Sequence, residues 1–270
     1  MIDVNFLKRL FPVFCLFVVL SSCSSYQKVL KSPDLKLKYE AGLTYYNDAN
    51  YFKALPIFEE LITSLRGTAN AEKVYYYYAY CQFHTEQYEL ASYHFQNLVN
   101  TFPKSSYAEE CQFMVAFCYY SDSPESSLDQ SSTIRAINEL QLFINRYPAS
   151  GKKDQCNQLI DMLREKLEQK AFDAANLYYN MSDFKAAQVA YKNLIRDYPN
   201  TKFKEEALFL SFKAAYDYAR NSVDEKKRER YVSAKEYFIS FSESFPKSVK
   251  MKNALDLYEN VKKNIELSAN

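Results

Sequence analysis

Phe102-Pro103-Lys104-Ser105, Tyr147-Pro148-Ala149-Ser150, Tyr198-Pro199-Asn200-Thr201 and Phe245-Pro246-Lys247-Ser248 are four copies of one phrase: an aromatic residue, proline, any residue, then a hydroxyl. Proline has no amide hydrogen to donate and biases the residue before it away from helical dihedrals, so each copy ends a helix. The hydroxyl residues that follow can cap the next helix, and in the first copy Ser106 and Glu109 have the spacing of an S-x-x-E capping box. Helix ends that recur every 45 to 51 residues predict a stack of helical hairpins.

Working back from the prolines, Ala91, Ala136, Ala187 and Ala234 stand twelve residues upstream, and Phe95, Leu140, Tyr191 and Phe238 stand eight upstream. The small residue lets the two helices of a hairpin approach closely, and the large one fills the gap they leave. A further copy lacking the proline precedes these, with Gly42, Tyr45, Ala54 and Phe58 at the same offsets and Gly67 to end its hairpin. Core offsets in the first helices fall on Tyr75, Tyr78 and Ala79 in the second repeat and on Ala171, Ala174, Ala175 and Tyr178 in the fourth. This register resembles the tetratricopeptide-type repeat, lengthened by insertions beyond its period of about 34 residues. The resemblance implies an all-α, helical-hairpin solenoid of about five repeats in a domain over 37–270. The repeats fall at about 37–67, 71–105, 107–150, 168–201 and 204–248, followed by a C-terminal helix. Two internal loops are expected to project from the stack: 121–132, rich in Ser, Asp and Pro, and 221–230, which carries the charge run Asp224 to Arg230.

Lysine and arginine number 34 against 33 aspartates and glutamates, so no strong field draws the chain to nucleic acid. With 25 tyrosines and 20 phenylalanines but only three glycines, glycine-cradled phosphate sites are poorly supplied. The N-terminus differs from the rest: Lys8 and Arg9 precede an apolar run over 10–20, broken only by Pro12, that ends in Leu20-Ser21-Ser22-Cys23. That is a signal-peptide layout, and the run is too short for the roughly 20 residues a spanning helix needs. Leu-Ser-Ser-Cys resembles a bacterial lipobox. It implies that 1–22 is a lipoprotein signal peptide, that Cys23 is the lipidated residue, and that 23–36 is a polar tether. Acyl chains on Cys23 would then be the only membrane attachment, with no other cofactor.

Four further cysteines, Cys81, Cys111, Cys118 and Cys156, form no Cys-x-x-Cys pair, and the chain has only His84 and His94 to join them, so no metal site is expected. Cys111 and Cys118 share a helical face and read as small buried hydrophobes, with a disulfide left open. No catalytic constellation stands out. Glu109-Glu110 and Glu205-Glu206 are adjacent pairs at helix starts that point to different sides, which fits helix-dipole and capping roles rather than paired acid–base work.

In tetratricopeptide stacks the first helix of each hairpin lines the concave surface with its offsets 5, 9 and 12. Here the register gives Tyr39, Leu43 and Tyr46 in the first repeat, Tyr76, Tyr80 and Phe83 in the second, and Phe113, Phe117 and Tyr120 in the third. All nine are apolar or aromatic: either an extended peptide with apolar side chains matches this surface, or the N-terminal tether, the loop over 121–132 or tighter superhelical closure covers it. The fourth repeat places Phe172, Asn176 and Tyr179 there, with a polar centre. Lys36 and Lys73, at offset 2, are candidates to meet a chain-end carboxylate.

The lipobox, the five hairpins, and the block with Phe184-Lys185-Ala186-Ala187, Arg196-Asp197-Tyr198-Pro199 and Glu205-Glu206-Ala207-Leu208 together resemble the BamD family. The likeness covers essentially residues 23–248. Members are non-enzymatic lipoproteins on the periplasmic face of the outer membrane. The resemblance implies a scaffold of β-barrel assembly that binds a BamA-type barrel protein, other assembly subunits and the termini of unfolded outer-membrane proteins. The chain departs from the pattern by a full hairpin ending near Pro246 and a terminal helix, so no residue of the BamA contact is carried over. Two other readings of the scaffold stay open: a repeat lipoprotein coordinating cell-wall synthesis, and a glycan-binding lipoprotein, against which the absence of tryptophan counts.

Overall fold

The computed structural model describes residues 25–68 and 70–267. The expected signal peptide 1–22 and the expected lipidation site Cys23 lie outside them. Every regular element among the described residues is an α-helix. A short α1 over 25–30 leads into α2 (Leu35–Asn47), α3 (Tyr51–Ser64), α4 (Ala71–His84), α5 (Tyr88–Thr101), α6 (Ala108–Asp122) and α7 (Ser131–Arg146). They are followed by α8 (Lys153–Asn180), α9 (Phe184–Asp197), α10 (Lys204–Arg220), α11 (Asp224–Ser244) and α12 (Met251–Leu267). Successive pairs from α2/α3 to α10/α11 form five hairpins, so the fold is all-α and of the tetratricopeptide type.

The sequence register is the packing register. Ala54, Ala91, Ala136, Ala187 and Ala234 are all fully buried, as are Phe58, Phe95, Leu140 and Tyr191. At Gly42 a Cβ would lie 3.1 Å from the Phe58 ring, which is why the smallest residue stands where α2 crosses α3. Three hairpin turns share one device: Ala49, Glu86 and Ser182 take positive φ values of 55°, 61° and 63°. At each, the residue's own amide and the next one reach back to the last turn of the first helix, as Ser182 N–H to the Tyr179 carbonyl and Asp183 N–H to that of Tyr178. This is the Schellman closure, built here without glycine. Asp34 and Asp183 cap the helices that follow them through their carboxylates.

The described chain forms two compact units, one of residues 25–123 and 131–157, the other of 124–130 and 158–267. In the first, Ala54, Ile57, Phe58, Leu61, Val74, Tyr78 and Cys81 make a buried cluster. The second holds two clusters, one around Ala175, Ala187, Tyr191 and Ala207, the other around Phe212, Ala234, Phe238 and Phe241, against which α12 lays Ala254 and Val261.

Five expectations need correction. Residues 25–30 are helical rather than a tether, because Tyr26, Val29 and Leu30 give them an apolar face: Tyr26 donates to the Lys53 carbonyl at 3.1 Å and meets Tyr45 edge-on. The first helix of the fourth hairpin starts at Lys153, not near 168, since Leu159, Ile160 and Leu163 form a buried stripe along it. The charge run 224–230 is the start of α11, with Asp224 and Glu225 at the positive end of its dipole and Lys227 2.8 Å from Asp224. Residues 123–130 do not project: Lys170 donates to the carbonyls of Ser126, Ser127 and Leu128, and Gln130 to those of Glu125 and Leu128. In α8, Ala174 and Tyr178 are exposed while Ala175 takes the core.

Candidate peptide-binding surface

The hydroxyl of the repeated phrase does more than end a helix. Ser105, Ser150, Thr201 and Ser248 each accept the backbone N–H two residues on, from Tyr107, Lys152, Phe203 and Lys250. Three of them also donate to a glutamate in the first turn of their own hairpin's first helix: Ser105 to Glu72, Ser150 to Glu109 and Ser248 to Glu205. The carboxylate is favoured there by the helix dipole, and the bond ties the open end of the hairpin together. The expected Ser106–Glu109 capping box does not form. Helix α6 starts at Ala108 with no side-chain cap, and Glu109 serves Ser150 instead.

This turn fixes what lies over the offset-5 aromatic one helical turn past the glutamate. Tyr107 packs on Tyr76 with ring centroids 4.4 Å apart, Lys152 lies 4.8 Å from the centre of the Phe113 ring, Phe203 stacks on Phe172 at 4.6 Å, and Lys250 lies 5.7 Å from the centre of Phe209.

In the first unit the expected residues come together as one aromatic surface. Tyr46 contacts Tyr77 at 5.0 Å, Tyr77 contacts Tyr76, and Tyr76 contacts Tyr80 at 4.7 Å. Farther along, Phe83 meets Phe117 at 5.8 Å, and Phe117 stacks on both Phe113 and Tyr120. Tyr39 and Leu43 pack at the edge of the first hairpin's core. Eight of the nine are half-buried, whereas Phe113 is 5% exposed and belongs to the core below, held by Phe143 and covered by Lys152. Lys36 and Lys73 are exposed, and Lys36 lies 4.0 Å from Glu40.

One functional group escaped the spacing argument. Glu110, half-buried, accepts hydrogen bonds from the Tyr80 hydroxyl at 2.6 Å and the Tyr76 hydroxyl at 3.1 Å, so a carboxylate sits among the tyrosines. Burial raises both phenols well above their ordinary value, and Glu110 raises them further, so they remain donors. Its offset, 2, is that of Lys36 and Lys73 in the earlier repeats, and this was the available signal. The fourth repeat differs: its polar centre, Asn176, accepts from the buried Tyr191 at 2.6 Å, and Tyr179 donates to Asp217 at 2.6 Å.

Cys81, Cys111, Cys118 and Cys156 are free and fully buried, with burial pushing the Cys81 and Cys111 thiols up to about 12 and Cys156 up to about 11. They are packing residues rather than nucleophiles. Among the described residues no group of His, Cys, Asp or Glu is arranged to hold a metal ion, and no helix is long and apolar enough to cross a membrane.

The family model described as "YfiO: Outer membrane lipoprotein" matches residues 33–230, from before α2 into α11. The chain belongs to this family. The remainder of α11 and all of α12 lie past the matched segment. Among curated proteins it is similar to the outer membrane protein assembly factor BamD of Caulobacter vibrioides, at 22% identity over 181 residues. The alignment takes in 67% of this chain and 59% of that relative, so the chain spans about three fifths of the relative's length. Among solved structures, the TPR2AB-domain:pHSP90-complex of yeast Sti1 aligns with a TM-score of 0.38 at 12% identity, covering 84% of this chain and 98% of that one.

Proposed function

We propose that this YfiO-family lipoprotein is a non-enzymatic scaffold of outer-membrane β-barrel assembly, facing the periplasm and anchored by acyl chains on Cys23. It holds a BamA-type barrel protein and receives extended C-terminal segments of unfolded barrel proteins on the aromatic surface of α2, α4 and α6. The observation that carries this reading is that surface itself: partly exposed rings from three successive hairpins, in contact from Tyr46 to Tyr80 and again from Phe83 to Tyr120. Apolar area of this extent is costly to leave in water and is gained back when a peptide covers it.

Affinity purification of the intact lipoprotein from gently solubilised outer membranes tests the assignment. A BamA-type protein is expected to co-purify. Recovery of cell-wall enzymes in its place would shift the scaffold to the wall-synthesis alternative. Cys23→Ser should release the protein from the membrane in a strain lacking its partners, and continued sedimentation with the outer membrane would contradict lipid anchoring.

A further inference from the structure

Two glutamates occupy the same register position in different hairpins. Glu110 and Glu206 each follow the glutamate that binds the exit-turn hydroxyl, and each is followed three residues on by the offset-5 aromatic, Phe113 or Phe209. In the second unit this carboxylate is neutralised from within: Lys250 lies 2.6 Å from Glu206. The tyrosine–carboxylate pair of that unit is answered too, since buried Asp217 accepts from Tyr179 and is met by Arg220 at 3.0 Å, with Lys213 5.3 Å from the Tyr179 ring centre. Glu110 is not. The counterpart of Lys250 is Lys152, which lies over Phe113 instead. Among the described residues no lysine, arginine or histidine stands within ion-pair distance of Glu110.

Among the described residues the rings around Glu110 likewise carry no lysine or arginine over their faces. Elsewhere the chain places its own lysines and arginines over aromatic faces, as Lys53 beside Tyr26 and Tyr45. Among the described residues none is placed so over Tyr46, Tyr76, Tyr77, Tyr80 or Tyr107. Tyrosine faces attract a cation through the ring quadrupole, and a partly desolvated carboxylate beside them adds a full opposite charge. Guanidinium suits both, because its plane stacks on a ring while its edge forks onto a carboxylate.

We infer that the Tyr76–Tyr80–Glu110 cluster is a cation pocket within the aromatic surface, and that it selects extended segments carrying an arginine between apolar side chains. The inference rests on the reading of this surface as a peptide site. It supplies the charge selectivity that an all-apolar lining lacks: a segment bearing arginine is preferred over a neutral one, and one bearing glutamate is refused.

The test is fluorescence titration of the full chain with short labelled peptides that alternate phenylalanine with arginine, glutamine or glutamate. The arginine peptide should bind about tenfold more tightly than the glutamine peptide, with the glutamate peptide weakest. Glu110→Gln keeps an acceptor of the same shape for both tyrosines and removes the charge, so it should reduce that preference to less than about twofold while leaving the glutamine peptide unchanged. Tyr80→Phe keeps ring and carboxylate and should keep the preference, which a merely structural Tyr80–Glu110 bond would not. Equal binding of the arginine and glutamine peptides to the unaltered protein overturns the cation pocket and leaves the apolar surface standing. Failure of all three peptides to bind overturns both, and a preference that survives Glu110→Gln removes Glu110 from the account.

Discussion

The α4–α6 face of the first unit and the α10–α11 hairpin of the second use the same repeat positions to opposite ends. At Phe209 and Glu206 both the ring and the carboxylate are served by Lys250, and the hairpin is closed on itself. At Tyr76, Tyr80 and Glu110 tyrosine covers tyrosine, the rings stay partly exposed, and among the described residues the carboxylate takes hydroxyl donors alone. The residue two places after the hydroxyl contributes to the difference: Tyr107 extends the aromatic surface, Lys250 neutralises Glu206, and Lys152 lies over Phe113 and leaves Glu110 to the tyrosines. A repeat fold thus separates what it needs for stability, the small and large core positions, from what it can vary for recognition.

If both units rest on the same core register, overpacking should injure them alike, and this is the largest effect expected. Ala91→Trp in the first and Ala187→Trp in the second force a large ring between helices where alanine is fully buried, and each should destabilise by about 1–3 kcal/mol or more. Exposed Lys226→Trp in α11 is the control. Thermal melts in which Lys226→Trp shifts as far as Ala187→Trp would break the register.

The exit turns sharpen the comparison. Ser105→Ala, Ser150→Ala and Ser248→Ala each remove two hydrogen bonds, one to a carboxylate, and should cost about 1–2 kcal/mol. Thr201→Val loses only the bond from the Phe203 amide and should cost less. Chemical denaturation that ranks Thr201→Val above the serine variants would mean the glutamate bond contributes little.

Between pH 7.5 and 5.5 protonation should act on the first unit, because both histidines are there. Burial lowers His84 and His94 below 6.5, and the His94 Nδ1 is buried without a partner. The unfolded chain therefore binds more protons between the folded value and 6.5. The histidine contribution is full above about 6.5 and is lost as pH falls from there through the folded value. Glu139, raised by burial, acts in the opposite sense at lower pH. Melting between pH 7.5 and 5.5 should show falling stability that His84→Gln with His94→Gln flattens; an unchanged slope would contradict the assignment.

Much of this was legible in the sequence because core positions have few physical solutions. Ala187 and Tyr191 could be read from Pro199 since only a small residue followed by a large one lets two helices meet at that distance. The same register brings the ring-bearing offsets of α2, α4 and α6 into contact, apart from Phe113, which Lys152, thirty-nine residues on, covers. What the spacing left unread depended on partners set by the third dimension. Glu109 looked like half of a capping box until Ser150 was beside it, and Glu110 looked like a dipole residue until two hydroxyls met it. The run 224–230 looked like a loop because its charge hid good helix formers. Residues 123–130 looked free because the Lys170 ammonium that holds them is distant in sequence.

The smallest effect concerns the hairpin turns. Ser182→Gly relieves a positive φ and should stabilise by up to about 1 kcal/mol, seen as a small rise in melting temperature.

On the proposed function, the first unit's aromatic surface, and not its counterpart in the second, receives extended apolar segments. Titration of one barrel-protein C-terminal peptide against Phe117→Ala and Phe172→Ala, each checked for its melt, addresses it directly. Phe117→Ala should weaken binding about tenfold or more by removing a partly exposed ring at the centre of that surface, and Phe172→Ala, an equally partly buried ring in the second unit, should leave affinity unchanged. Unchanged affinity in Phe117→Ala together with loss in Phe172→Ala would place the site in the second unit and contradict the account.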